Sequence, residues 1–329
     1  MNKEFLVKLH EVVGVSGHES AVSDLILAEI KDYIDDHKVD VMGNLIAHKK
    51  GPGKKMMLAG HMDQIGLMVT FIEKEGFVRF SPIGGHSHKN LLHQRFVFPN
   101  GTIGVIGMDR LDEGQKEGID KLYLDIGAKD EADAAKYVRV GDVCGFATVP
   151  TIGPNVFVTP SLDDRIGCFI MVEALKQIKN PAYDLYFVFT SQEEVGLRGA
   201  KTSAYTIEPD YGLAFDVTNS ADTPKARKFP NKMFGGAAIK LKDASLLCHP
   251  TVIKHLEDCA KAAGVKYQFE ILEMGGTDSG AIHTNKSGVP SGVISVASRY
   301  IHSANEMCAL SDVEDCIKLT VKALETAIG

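Results

Sequence analysis

The 329-residue chain has no tryptophan, only six cysteines, and no apolar run long enough to cross a bilayer. Each shortage excludes something. Without tryptophan there is no flat indole platform of the kind that polysaccharide clefts often use. Cys144, Cys168, Cys248, Cys259, Cys308 and Cys316 lie scattered, with no Cys-x-x-Cys pair, so they read as reduced buried thiols and not as a disulfide framework or thiolate zinc site. A membrane helix needs about twenty consecutive apolar residues, and a mean hydropathy of -0.03 offers none. The opening MNKEFLVKLHEVVGVSG carries charges through its apolar positions, so it reads as an amphipathic helix and not as a signal segment. The expected location is cytoplasmic. Positive charge is also scarce: 36 Lys and Arg face 43 Asp and Glu, giving a net charge of -7. Neither nucleic acid nor an anionic membrane is an expected partner.

What remains is a globular composition, 44% hydrophobic and 24% charged, in a chain longer than one core usually organises. Apolar residues recur at helical spacing over 3–13 and 19–33, followed by short strands around Asp40, Leu45 and Met57. From about Ile65 to Val149 the pattern changes to short β-like runs (LMVTFI, FVRFSPI, RFVFPNGTIGVIG, LYLDIG), with Pro99-Asn100-Gly101 as a hairpin signal and DEADAAKY as the one helical stretch. After Pro160 the α/β alternation resumes: helix 163–179, strands 184–190 and 211–216, helix 250–263, and strands 266–272 and 289–297. A final helix opens on a Ser311-x-x-Glu314 capping box. The expected architecture is one α/β domain formed by residues 1–64 and 156–329, interrupted by a β-rich insertion over 65–155.

Open α/β sheets bind ligands at the carboxyl ends of their strands, so the residues just beyond each apolar run matter most. MMLAG leads into His61 and Asp63, LYFVFTSQ into Glu193 and Glu194, YGLAF into Asp216, and VPSGVISVASRY into His302, while Asp163 and Asp164 open a helix. Each has a plainer reading. His61 can be a hydrogen-bonded core histidine, Asp163 and Asp164 can cap their helix, Glu193 and Glu194 can occupy a first helical turn, Asp216 can cap or form an ion pair, and His302 can pair with Glu306. Together, however, they deliver two imidazoles and several carboxylates to one rim. Unpaired buried charge costs several kcal/mol or more, and divalent cations resolve that conflict. Nitrogen and oxygen donors without thiolate suit Zn2+, Co2+ or Mn2+ in a hydrolytic site, and a bridging carboxylate allows two ions.

AGHMDQIG, SLDDRIG, TSQEEVGLRGA, FDVT, GGTDSGAIHTNKSGVPSG and SRYIHSANEM, spread over residues 60–307, resemble the M42 metallo-aminopeptidases, the glutamyl-aminopeptidase and TET-like family, some of whose members carry an endoglucanase label. The resemblance implies a mixed-sheet αβα catalytic domain of the zinc-aminopeptidase type with an inserted β-barrel-like domain that makes dimer contacts. It further implies dimers assembling to a tetrahedral dodecamer, and peptide substrates with a free N-terminus. It also implies roles: His61 and Asp216 would hold one metal, Glu194 and His302 the other, and Asp163 would bridge. Glu193 would be the general base and Asp63 would orient His61. Gln64, where relatives commonly have glutamate, is expected to alter pocket polarity, as is the Asn219–Asp222 stretch.

Two other functions compete. Paired carboxylates also cleave glycosides, and a chain with this shell can persist as an inactive metal-binding homologue. Two local patterns stay open as well. His86, His88 and His93 in GGHSHKNLLH read either as an extra metal site or as a flexible loop. Lys225, Arg227, Lys228 and Lys232 read either as an attractor for acidic side chains or as a solvated basic loop.

Overall fold

A computed structural model describes residues 1–329. Four strands form the parallel heart of an eleven-stranded sheet, in the order Asp184–Thr190, Lys55–His61, Tyr211–Asn219, Ser291–Arg299. These strands read as near-continuous apolar runs because both faces are covered. Along Asp184–Thr190, Leu185, Phe187 and Phe189 enter the main core of 44 buried residues, while Val188 points to a smaller core on the other face. Helices Lys3–Glu11, Ser20–Ile30, Leu162–Gln177, Pro250–Ala263 and Leu310–Leu324 cover the first face. Arg198–Ile207 and Asp278–Ile282 cover the second. Antiparallel strands complete both edges.

The layering places a crevice at one point. Strand Lys55–His61 lies between its parallel neighbours Asp184–Thr190 and Tyr211–Asn219, so its carboxyl end opens beside theirs, where such sheets bind ligands. His61 is its last residue.

The insertion is a closed six-stranded barrel running from Gly66–Ile72 to Val143–Phe146, around 14 buried residues that include Leu67, Phe96, Leu124 and Phe146. The hairpin expected at Pro99–Gly101 joins Arg95–Val97 to Ile103–Met108, closed by the Phe98 N–H to Thr102 carbonyl bond, with Gly101 at φ +86°. Thr151–Ile152 already pairs in the large sheet.

Three local expectations need correction. The last helix begins at Leu310 after Ala309, and the Ser311 hydroxyl bonds to Asp312, so Ser311 and Glu314 form no capping box. Within Leu162–Gln177 the backbone is non-helical at Asp163 and Asp164. Strand Ala237–Lys242, which pairs with Tyr267–Ile271 and Ser291–Arg299, was not expected at all. All six cysteines are free and buried, and no helix is long and apolar enough to cross a membrane.

Candidate metal centre

The carboxyl ends of the parallel strands bring the anticipated side chains together. Asp163 is the hub. Its Oδ1 lies 3.1 Å from His61 Nε2 and its Oδ2 lies 3.3 Å from His302 Nε2. Glu194 Oε2 is also 3.3 Å from His302 Nε2, and Glu193 Oε2 is 3.8 Å from His61 Nε2. Two overlapping sets, His61–Asp163–Glu194 and His61–Glu193–Asp216, each bring their donor atoms within 4.8 Å of one another. His61, Asp163, Glu194, Asp216 and His302 therefore share one pocket, with Glu193 beside His61 and Asp216.

Local structure explains how these groups are held. The ring of His61 contacts the Asp63 backbone carbonyl at 3.0 Å through Nδ1, and the Asp63 carboxylate lies at 3.5 Å. That carboxylate also accepts from the Ser16 hydroxyl at 2.6 Å and from the backbone N–H groups of Glu193 and Glu194 at 3.0 and 3.2 Å. Asp63 thus fixes the glutamate turn as well as facing His61. Glu193 and Glu194 sit in a turn and not in a helix. The two adjacent aspartates divide the two readings open to them. Asp163 faces the imidazoles, while Asp164 accepts from His61 N–H and, in the manner of a cap, from Gly167 N–H. A Cβ on Gly167 would stand 2.4 Å from both Asp164 carboxylate oxygens, so only glycine leaves room for them.

Two further carboxylates have no part in the centre in the sequence reading, which names Glu306 only as a partner for His302. Glu306 accepts from the backbone N–H groups of both Asp163 and His302, at 2.9 and 2.7 Å, and burial pushes its carboxyl up to about 8. The sequence pairing of His302 with Glu306 therefore exists, but through the main chain. Asp278 accepts from the Thr190 hydroxyl at 2.5 Å, and burial raises it to about 6. The only signals were the four-residue spacing from His302 and the GGTDSG motif.

The electrostatics call for cations. Burial raises Glu193, Glu194 and Asp216, and neighbouring carboxylates add to it: Asp216 and Glu194 at Glu193, Asp163 at Asp216 and at Glu194. Burial works against protonation of His302, yet Asp163 and Glu194 push it up to about 12. The imidazoles thus supply positive charge where Asp163, Glu193, Glu194 and Asp216 converge, and a bound divalent cation would favour the ionised form of the carboxyls that burial raises. Imidazole and carboxylate donors fit borderline or hard divalent ions. Cys168 turns its thiol towards the Gly60 and His61 carbonyls and offers no thiolate.

Beside this cluster lies a cleft of about 520 Å3, whose walls include Val217, Thr218, Asn219, Lys240, Leu272 and Met274. Lys240 is the cation in the wall. None of Lys225, Arg227, Lys228 and Lys232 lines it, and Arg227 pairs with Glu273 on the exposed side. Gln64 also lies elsewhere. Its Oε1 accepts from Gly14 N–H and from the fully buried Arg165, both at 3.3 Å, so the expected influence on pocket polarity is absent. His86, His88 and His93 form no common metal site. His86 bonds to the Gly66 carbonyl at 2.9 Å, and His88 lies 3.5 Å from Glu117.

The chain is similar to known proteins over nearly its whole length. A family model described as M42 glutamyl aminopeptidase matches residues 43–319. The lysyl aminopeptidase of Pyrococcus furiosus is 36% identical over 336 residues, 98% of this chain and 96% of its own. A solved aminopeptidase from the archaeon Desulfurococcus kamchatkensis superposes with a TM-score of 0.94 at 38% identity, covering 98% of this chain and 94% of that one. The TET1 peptidase of Pyrococcus horikoshii, which assembles into a tetrahedron or a large octahedral shell, gives 0.87 at 30% identity over 99% of both chains.

Proposed function

This chain belongs to the M42 glutamyl aminopeptidase family, and from that premise we propose that it removes N-terminal residues from peptides at a dinuclear metal site. Asp163 carries the reading: one carboxylate oxygen faces His61 and the other faces His302, the disposition that a bridging ligand needs. His61 and Asp216 would hold one ion, and Glu194 and His302 the other. The donor set suits Zn2+, Co2+ or Mn2+. When bound, such a pair supplies a water that loses its proton near neutral pH and a Lewis acid for the scissile carbonyl.

The chain's own residues do the rest. Glu193, in the cleft wall on a turn fixed by Asp63, accepts the proton of the attacking water and returns it to the leaving amine. Val217, Leu272 and Met274 give the substrate an apolar wall. A glycosidase reading lacks support, because the carboxylates face imidazoles at 3.1–3.8 Å as metal ligands would, and the chain has no tryptophan to form a sugar platform. An inactive homologue would not be expected to keep all five ligands and the base.

The insertion over 65–155 would serve as the dimerisation unit. Ile103, Val105, Val140 and Val149 stand exposed on or beside the barrel, and the assemblies of the Pyrococcus horikoshii TET1 peptidase support dimers building a tetrahedral dodecamer. Six buried free thiols fit a reducing cytoplasm. Glu193→Gln tests the mechanism: kcat on aminoacyl-p-nitroanilides should fall about 10²- to 10⁴-fold while two ions per chain remain. Near-normal kcat would remove Glu193 from the role of base.

A further inference from the structure

The two histidines of the metal centre are held in different ways. His61 is oriented by a hydrogen-bonding contact behind its ring, the usual arrangement for a metal-binding imidazole. His302 has none: its contacts run through its backbone and through Nε2. It also sits at φ +61°, two residues after Tyr300 at φ +62°. A left-handed conformation is uncommon for a non-glycine residue, less so for histidine than for tyrosine, and two of them so close together point to a backbone shaped by its surroundings.

Besides Glu306, which holds its backbone N–H, the surroundings of His302 come from the barrel. Gly85 faces the His302 ring so closely that a Cβ there would lie 3.0 Å from Nδ1 and 3.2 Å from Cε1, with nothing else within 4 Å. Its neighbour Gly84, at φ +77°, passes the Glu194 side chain, where a Cβ would lie 3.3 Å from that of Glu194. The Asn90 amide donates to the His302 carbonyl at 3.3 Å. Two residues beyond His302, Ala304 is buried in the barrel's own core with Leu67 and Phe146. His86, bonded to the Gly66 carbonyl, anchors the loop to the first barrel strand.

We propose that the barrel segment Gly84–Asn90 is a positioning element of the metal centre, with Gly85 serving as the seat that sets the His302 ring. This rests on the dinuclear reading above. It assigns the GGHSHKN stretch a role that is neither an extra metal site nor a free loop. It also predicts an asymmetry: disturbing the barrel loop weakens the ion held by His302 and Glu194 and spares the one held by His61 and Asp216.

Gly85→Ala tests this cleanly, because Gly85 is outside the left-handed region and the ring is the sole obstacle to a methyl group. Metal-stripped protein is titrated with Co2+ by calorimetry, and bound metal is counted by mass spectrometry. Wild type should bind two ions per chain. Gly85→Ala should keep one at wild-type affinity and bind the second about 10- to 100-fold more weakly, the loss typical of disturbed ligand orientation. Asn90→Ala should weaken the same ion several-fold. Gly101→Ala, in a barrel turn with nothing within 4 Å, should leave both affinities unchanged even if it lowers the melting temperature. Two ions bound at wild-type affinity by both Gly85→Ala and Asn90→Ala would overturn the proposal. A wild type that binds fewer than two ions would instead overturn the dinuclear reading, and the proposal with it.

Discussion

Replacing Lys240 with methionine removes one buried cation and exposes the cost of what it neutralises. Lys240 is level with Glu270 across the parallel pairing of their strands, and its ammonium contacts Glu270 and lies 3.4 Å from Asp243. All three are buried. Asp243 Oδ1 is served by Ser245 and Leu246, but Asp243 Oδ2 and Glu270 Oε2 accept no hydrogen bond. The ammonium is therefore the chief compensation for two buried carboxylates. Breaking such a group by removing one partner costs about 3–5 kcal/mol. With an unfolding entropy near 2.1 cal/mol/K per residue, or about 0.7 kcal/mol/K for this chain, the melting temperature should fall by about 4–7 °C. Scanning calorimetry measures this directly. Adding Glu270→Gln to Lys240→Met should recover part of the loss, since one stranded charge disappears. A Lys240→Met variant melting within about 1 °C of wild type would refute the claim that this ion cluster is electrostatically closed.

Gly167→Ala drives a methyl into the Asp164 carboxylate, which holds the His61 backbone N–H. We expect a stability loss of about 1–3 kcal/mol from overpacking together with weaker metal binding, measured by urea denaturation and metal titration. Acid sensitivity should trace partly to His10, which has no charge partner: burial holds it down at about 3 from its ordinary 6.5, while its Nδ1 contacts the Leu6 carbonyl. A histidine depressed in the folded state binds protons first when unfolded, so stability should fall as pH drops from about 6.5 towards 3, by up to about 1.4 kcal/mol per pH unit. His10→Phe should flatten that slope in urea melts at stepped pH. An unchanged slope would acquit His10.

The convergence of these side chains was legible because parallel strands deliver their terminal residues to one edge, so the carboxyl end of each apolar run pointed to His61, Glu194, Asp216 and His302. The remainder failed for identifiable reasons. Strand Ala237–Lys242 was hidden because a buried lysine breaks the apolar pattern, and its partner Glu270 lies thirty residues away. Glu306 was visible only as a possible ring partner of His302, whereas it serves main-chain donors, one of them 143 residues distant in sequence. Gln64 sits next to Asp63 in the connection between strands Lys55–His61 and Gly66–Ile72, yet its side chain turns away from the cluster, towards Gly14 and Arg165. The histidine-rich stretch could not be understood without the barrel that folds it against His302.

The most direct test is an anomalous-scattering map of crystals grown with Co2+ or Zn2+. The account predicts two peaks flanking the Asp163 carboxylate, one beside His61 and Asp216 and the other beside Glu194 and His302, with Glu193 uncoordinated. A single peak, ions bound away from Asp163, or Glu193 acting as a ligand would contradict it.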